Sequence, residues 1–167
     1  MMKDHARLMQ AFSAVDEIVG RKKLQKIIFI AKKHEYAFQE KYQFHFFGPY
    51  SEELTLRVEE LCNMGFLKEF NEKKSGYYQY RYEVTNEGRD FLASQNEEPG
   101  SGLAPFLTEL NQQSSRFLEL VSTILYFDSF ERAECIEKVK KVKEKQNYTE
   151  EEIQEALAYI AHLKDFS

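Results

Sequence analysis

Apolar residues recur at the start of the chain with the spacing of a helix. Leu8, Phe12, Val15 and Val19 fall at i, i+4, i+7 and i+11, and Gly20 closes the stripe. A second helix is predicted over residues 21–35, with Leu24, Ile27, Ile28 and Ala31 on one face. The period then changes to two. Tyr42, Phe44 and Phe46 alternate with Gln43, His45 and Phe47 as in a short strand, which Gly48-Pro49 breaks. Ser51 suits the N-cap of a third helix, and Glu52 and Glu53 bring negative charge to its first turn. Leu54, Val58 and Leu61 form its inner face and Gly65 ends it. Residues 66–70 and 77–84 are the arms of a predicted hairpin around a turn at 71–76, and Tyr78, Tyr80, Tyr82 and Val84 share one face. Thr85 caps a further helix that contains Phe91 and Leu92.

The chain changes character at its only Pro/Gly-rich stretch, Gln95 to Gly102, which reads as a linker. Beyond it the pattern is helical throughout. A stripe begins at Phe106, Leu107 and Leu110 and continues through Phe117, Val121, Ile124 and Leu125. A Lys/Glu-rich helix over 132–146 presents Ile136, Val139 and Val142. Thr149 with Glu152 forms a capping-box pattern ahead of Ile153, Ala156, Leu157, Ile160 and Leu163. The predicted fold is α+β and mainly helical. It comprises a winged helix-turn-helix-like domain over 1–95, a linker over 96–102, and a C-terminal three-helix appendage over 103–167 packed on that domain. The run Tyr82-Glu83-Val84-Thr85-Asn86-Glu87-Gly88 resembles the end of the wing in many bacterial winged-helix regulators. A small α+β domain of unrelated topology is the alternative.

Composition narrows the class. A chain of 167 residues with a charged fraction of 31% and an apolar fraction of 43% can build one core without staples. The longest strongly apolar run, residues 27–31, is far short of the ~20 residues that a bilayer requires. Two cysteines and an N-terminus without an apolar signal core point to a reducing, cytoplasmic setting. The net charge of −5 is unevenly divided. Residues 1–92 carry 15 basic and 14 acidic groups, whereas residues 93–167 carry 8 and 14.

Charge placement decides how the third helix is read. With Leu54, Val58 and Leu61 inward, Glu52, Leu56, Glu59 and Asn63 form the outward stripe, flanked by Glu53 and Glu60. A DNA reader would put this helix in the major groove, where carboxylates meet a backbone of one negative charge per ~1.7 Å. An outward Leu56 among glutamates suits a protein contact better. The cations lie one helix earlier, on an expected outward stripe of Lys22, Lys26, Phe29 and Lys33. That stripe is a second candidate partner face, its alternative being a lysine surface whose Phe29 and Ile30 are covered by the C-terminal helices. Lys73 and Lys74 at the wing tip, with Arg81 nearby, are candidate DNA-backbone contacts. The lysines at 138, 140, 141, 143 and 145 interleave with Glu134, Glu137 and Glu144 as on an ordinary salt-bridged helix. Histidines and cysteines show no metal-ligand spacing, and no glycine-rich phosphate loop is present. No catalytic residue, metal or cofactor is expected, and Cys62 is read as inert core.

Two stretches together carry a resemblance. Gly20-Arg21-Lys22-Lys23-Leu24-Gln25-Lys26-Ile27-Ile28-Phe29-Ile30, followed by Phe44-His45-Phe46-Phe47-Gly48-Pro49-Tyr50-Ser51, resembles the YwgA-like family of small bacterial proteins. The match continues through Gly65-Phe66-Leu67 to the capped last helix. Over about the first 65 residues, Leu24-Gln25-Lys26 paired with Phe47-Gly48-Pro49 is also similar to the Panacea domain of antitoxins, one of which acts as a proteolytic adaptor. Neither resemblance supplies catalytic residues. Gln25 and Lys26 are not needed for a core, which suggests an outward task for both; the alternative is that Gln25 bonds the loop backbone near Gly48-Pro49. The expected function is that of a non-enzymatic adaptor or regulator with a protein partner and no membrane. The alternative is a DNA-binding transcriptional regulator that uses the wing and the second helix and dimerises through 103–167, and an enzyme ranks third.

Overall fold

Helix α1 (Lys3–Ala14) buries Ala6, Leu8, Met9 and Phe12, and stops before Val15, whose backbone is extended. The helical spacing of Val15 and Val19 is therefore a coincidence of pattern. Val19 belongs to β1 (Ile18–Val19), which pairs antiparallel with a later strand and places Ile18 opposite Tyr82. The computed structural model describes residues 2–15, 17–46, 48–95 and 102–166. Phe47 and all of the expected linker except Gly102 lie outside them.

Helix α2 (Arg21–Lys33) is buried continuously from Leu24 to Ala31. An apolar stripe alone would leave half of this helix wet; here neighbours cover it all round. Each of Leu24, Ile27, Ile28 and Ile30 contributes about 1.5–3 kcal/mol by leaving water. The expected strand at 42–47 is a short hairpin instead. It is formed by β2 (Gln43–His45) and β3 (Gly48–Tyr50), so Gly48 and Pro49 begin a strand rather than only ending one. Ser51 caps α3 (Glu52–Asn63), its hydroxyl accepting from the Leu54 N–H. The wing is longer than its sequence pattern suggested. Strands β4 (Leu67–Lys74) and β5 (Tyr77–Val84) pair to their ends and leave only Ser75 and Gly76 in the turn. The larger sheet has the order β1-β5-β4. Thr85 caps α4 (Asn86–Ser94) as expected, accepting from the Gly88 N–H.

Among the described residues the second half supplies four α-helices rather than three: α5 (Leu103–Asn111), α6 (Ser115–Tyr126), α7 (Arg132–Val142) and α8 (Glu150–Leu163). A short 3-10 turn (Glu144–Gln146) extends α7, and the Thr149–Glu152 capping box forms as its spacing predicts. Helix α6 packs on α2 and β3 and α5 packs on α1 and α2, so residues from both halves share one core. On α7 the inner stripe is Cys135, Val139 and Lys143; Val142, expected inward, is exposed. The chain is thus a mainly helical α+β protein, with two small antiparallel sheets among the described residues.

Candidate functional site

The α2 face expected to meet a partner turns mostly inward. Gln25 is 4% exposed, Lys26 1% and Phe29 5%, while Lys22 at the first turn is exposed, as is Lys33, which forms an ion pair with Asp128 at 2.9 Å. The reason is that α6 and the β2–β3 hairpin lie against this side. Phe29 packs edge-on to Tyr42 and lies 6.1 Å from Tyr126. Gln25 grips the Ser51 backbone twice: its Nε2 donates to the Ser51 carbonyl at 2.9 Å, and its Oε1 accepts from the Ser51 N–H at 2.8 Å. Lys26 donates to the Pro49 carbonyl at 2.8 Å. The two sequence stretches that carried the family resemblance therefore fasten each other. Gln25, Lys26 and Phe29 are not partner-binding residues on an open face; they hold the hairpin in place.

Beneath that hairpin lies a buried charge cluster. Lys143, on the turn after α7, is 1% exposed and donates to the Phe46 carbonyl at 3.0 Å. Its Nζ lies 3.4 Å from Glu119 Oε2 of α6, which also accepts from the Tyr148 hydroxyl at 3.3 Å. Gly48 admits the cluster: its φ is +90°, and a Cβ there would stand 3.3 Å from Thr123 Oγ1 and 3.5 Å from Glu119 Cγ. Glu119 thus pairs directly with Lys143 and acts on Lys26 through space. Burial is the main cause that drops the Lys26 pKa to about 8, with Glu119 opposing and Lys143 and Lys22 reinforcing the fall. Burial also lowers Lys143, and it raises the Tyr148 phenol with help from Glu119. Sequence patterning missed Glu119, Lys143 and Tyr148. The available signal was Lys143 falling four residues after Val139, on the inner stripe.

Helix α3 presents the face its pattern implied. Glu52, Leu56 and Glu59 are exposed, Leu56 at 58%, whereas Arg57 is drawn to Glu40 at 2.5 Å and Asp4 at 3.3 Å. Glu53 accepts from the Lys41 N–H and Glu60 faces His5. Among the described residues, Glu52 and Glu59 make no ion pair. Between α2, α3 and the larger sheet lies a cleft of about 200 Å³ with Leu24, Leu54 and Val58 along it and the Arg21–Glu69 pair at its side.

At the wing tip Lys73 and Lys74 are exposed. Arg81, grouped with them from sequence, is committed elsewhere. Its guanidinium meets Glu83 at 2.6 Å, Glu72 at 3.2 Å and Glu17 at 3.4 Å, and lies 4.1 Å over the Phe70 ring. A phosphate would have to displace three carboxylates. Among the described residues no group of three or more His, Cys, Asp or Glu side chains comes together to hold a metal. Burial raises both thiol pKa values, and Cys135 donates to the Ile124 carbonyl. No helix of the described residues is long and apolar enough to cross a membrane.

No protein-family model matches the chain. It is 58% identical over 164 residues to the Bacillus subtilis (strain 168) protein named "Uncharacterized protein YwgA", an alignment that spans 98% of each. Identity of that extent, over nearly all of both chains and therefore across α2, the β2–β3 hairpin and the buried cluster, makes this protein a member of the YwgA family.

Proposed function

We propose that this protein is a non-enzymatic regulator or adaptor of the cytoplasm that acts by holding another protein on the outward face of α3. The observation that carries the proposal is Leu56, 58% exposed between the unpaired carboxylates of Glu52 and Glu59. An apolar side chain ringed by like charge suits a partner that brings both a leucine-sized pocket and cations, and it opposes a phosphate backbone. The element order supports a winged helix-like reading: α1, β1, α2, the inserted β2–β3 hairpin, α3 and then the β4–β5 wing, with β1 pairing on the wing. A role of the antitoxin or proteolytic-adaptor kind, implied by the Panacea-like segment, would use such a surface.

The second reading, a DNA-binding regulator that dimerises through 103–167, rests on Lys73 and Lys74 alone, because Lys26 and Arg81 are occupied. The experiment uses a photo-crosslinking amino acid at position 56 in bacterial lysate, with binding of duplex DNA followed at low and moderate salt. The expected result is one discrete protein adduct, absent when Glu52→Lys and Glu59→Lys are added, with no salt-sensitive DNA complex. DNA affinity that falls steeply with salt and vanishes in Lys73→Glu/Lys74→Glu would overturn it.

A further inference from the structure

A second surface is built by β2, the α6–α7 connection and α7 with its 3-10 turn. Lys145 Nζ stands 5.7 Å from the Phe46 ring centre, Lys143 5.5 Å from Phe44, and Lys138 5.8 Å from Phe127 and 4.6 Å from Phe130. The rings follow one another, Phe44 5.4 Å from Phe127 and Phe127 6.4 Å from Phe130. Much of this apolar material faces water: Phe46 is 68% exposed, Val142 43% and Phe130 41%. Between Phe46 and Val142 runs a cleft of about 400 Å³ flanked by Lys141 and Lys145, with Glu144 also on its wall. The ordinary salt-bridged helix expected from the Lys/Glu spacing is absent. Among the described residues none of these lysines pairs with Glu134, Glu137 or Glu144; Lys140 bonds Glu150, and Lys143 turns inward to Glu119.

We propose that this lysine–aromatic ladder docks a short acidic segment of a partner protein that carries aromatic or leucine side chains. Charge complementarity names the occupant. Among the described residues Lys138, Lys141 and Lys145 are exposed and form no ion pair, so they can accept Asp or Glu placed clear of Glu144, while the cleft between Phe46 and Val142 takes an apolar side chain. A nucleic-acid strand could also stack on the rings, but its continuous phosphates would run against the unpaired Glu134, Glu137 and Glu144 of the same helix. A peptide can space its carboxylates to miss them. This surface extends the protein-binding reading to a second face and does not depend on α3.

The test is fluorescence anisotropy of a fluorescein-labelled peptide, Asp-Glu-Phe-Asp-Asp-Leu-Glu, against the full chain, with thermal melts of every variant as the folding control. Phe46→Ala and Lys145→Glu are each expected to weaken binding about tenfold, because a desolvated anchor and its charge partner dominate such contacts. Leu56→Asp is expected to leave it unchanged, so a failure here leaves the α3 proposal standing. Four results overturn the ladder: binding no tighter than to the peptide with Lys for each acid and Ala for Phe and Leu; indifference to Phe46→Ala; tighter binding of an oligothymidylate strand; or concentration-dependent self-association abolished by Phe46→Ala, which assigns the surface to a second copy.

Discussion

Lys26 makes the buried cluster a pH-dependent element of stability, and the sign is fixed by the geometry. Its ammonium faces Glu119, Lys143 and Lys22, with burial the largest influence, and its pKa drops from 10.5 to about 8. The unfolded chain keeps the ordinary lysine value. Between those two pH values the unfolded state binds more protons, so stability rises with pH. A displacement of this size corresponds to about 3 kcal/mol withheld from the folded state at neutral pH, of which about 2 kcal/mol returns between about pH 7 and pH 9.5. Burial raises the phenols of Tyr42, Tyr82, Tyr148 and Tyr159, which act in the opposite sense, but only above the ordinary tyrosine value of 10. The assay is urea denaturation of the wild type and of Lys26→Met at about pH 7, 8 and 9.5. Met keeps the length and cannot titrate, although it leaves the Pro49 carbonyl without its donor. The absolute stability of the variant is therefore uninformative, and the difference between the two curves is the readout. Wild type should gain about 2 kcal/mol more than the variant across the window. Parallel curves would refute the cluster's assignment.

Three other changes test the same architecture. Glu119→Gln removes the carboxylate that pairs with Lys143 and acts on Lys26 through space, and should cost about 3–5 kcal/mol at neutral pH by urea titration, with a steeper rise toward alkaline pH. Gly88→Ala places a Cβ 2.2 Å from the Phe66 carbonyl and 2.8 Å from Met9 Cε, so α4 must shift away from the backbone at Phe66; thermal melts should show a loss of about 3 kcal/mol. Arg116→Met removes the hydrogen bonds that are the main reason Glu152 titrates at about 2 rather than 4.5. That depressed carboxylate stabilises the wild type above the ordinary value and ceases to as pH falls through about 2, so the stability gap between wild type and variant should close below about pH 4.5.

The elements that sequence patterning locates best are those whose ends are written in side chains. Ser51, Thr85 and Thr149 each cap the helix they were expected to cap, because the oxygen that satisfies a free N–H sits beside it in the chain. Val19 misled because a strand residue can fall in phase with a helix by chance. The wing turn was drawn too long because Asn71, Glu72, Lys73 and Lys74 are polar; they are strand residues with little to bury. Lys26 and Lys143 escaped for a deeper reason. Periodicity assigns a lysine outward, and only the distant Glu119 and the carbonyls of Pro49 and Phe46 make an inward ammonium tolerable. The ladder was invisible for the same cause: Lys145 and Phe46 lie about a hundred residues apart and share no local signal.

Among the described residues, the sheet order β1-β5-β4 leaves β4 with one flank unpaired by any strand. Such an edge is a template on which another molecule's strand can grow, and proteins guard it with lysine. On β4, Lys68, Lys73 and Lys74 are all exposed along eight residues. Two of these are the wing-tip cations first considered as anchors for DNA. Their position gives them a use without any ligand, as charges that keep the wings of neighbouring molecules from zipping together in a crowded cell.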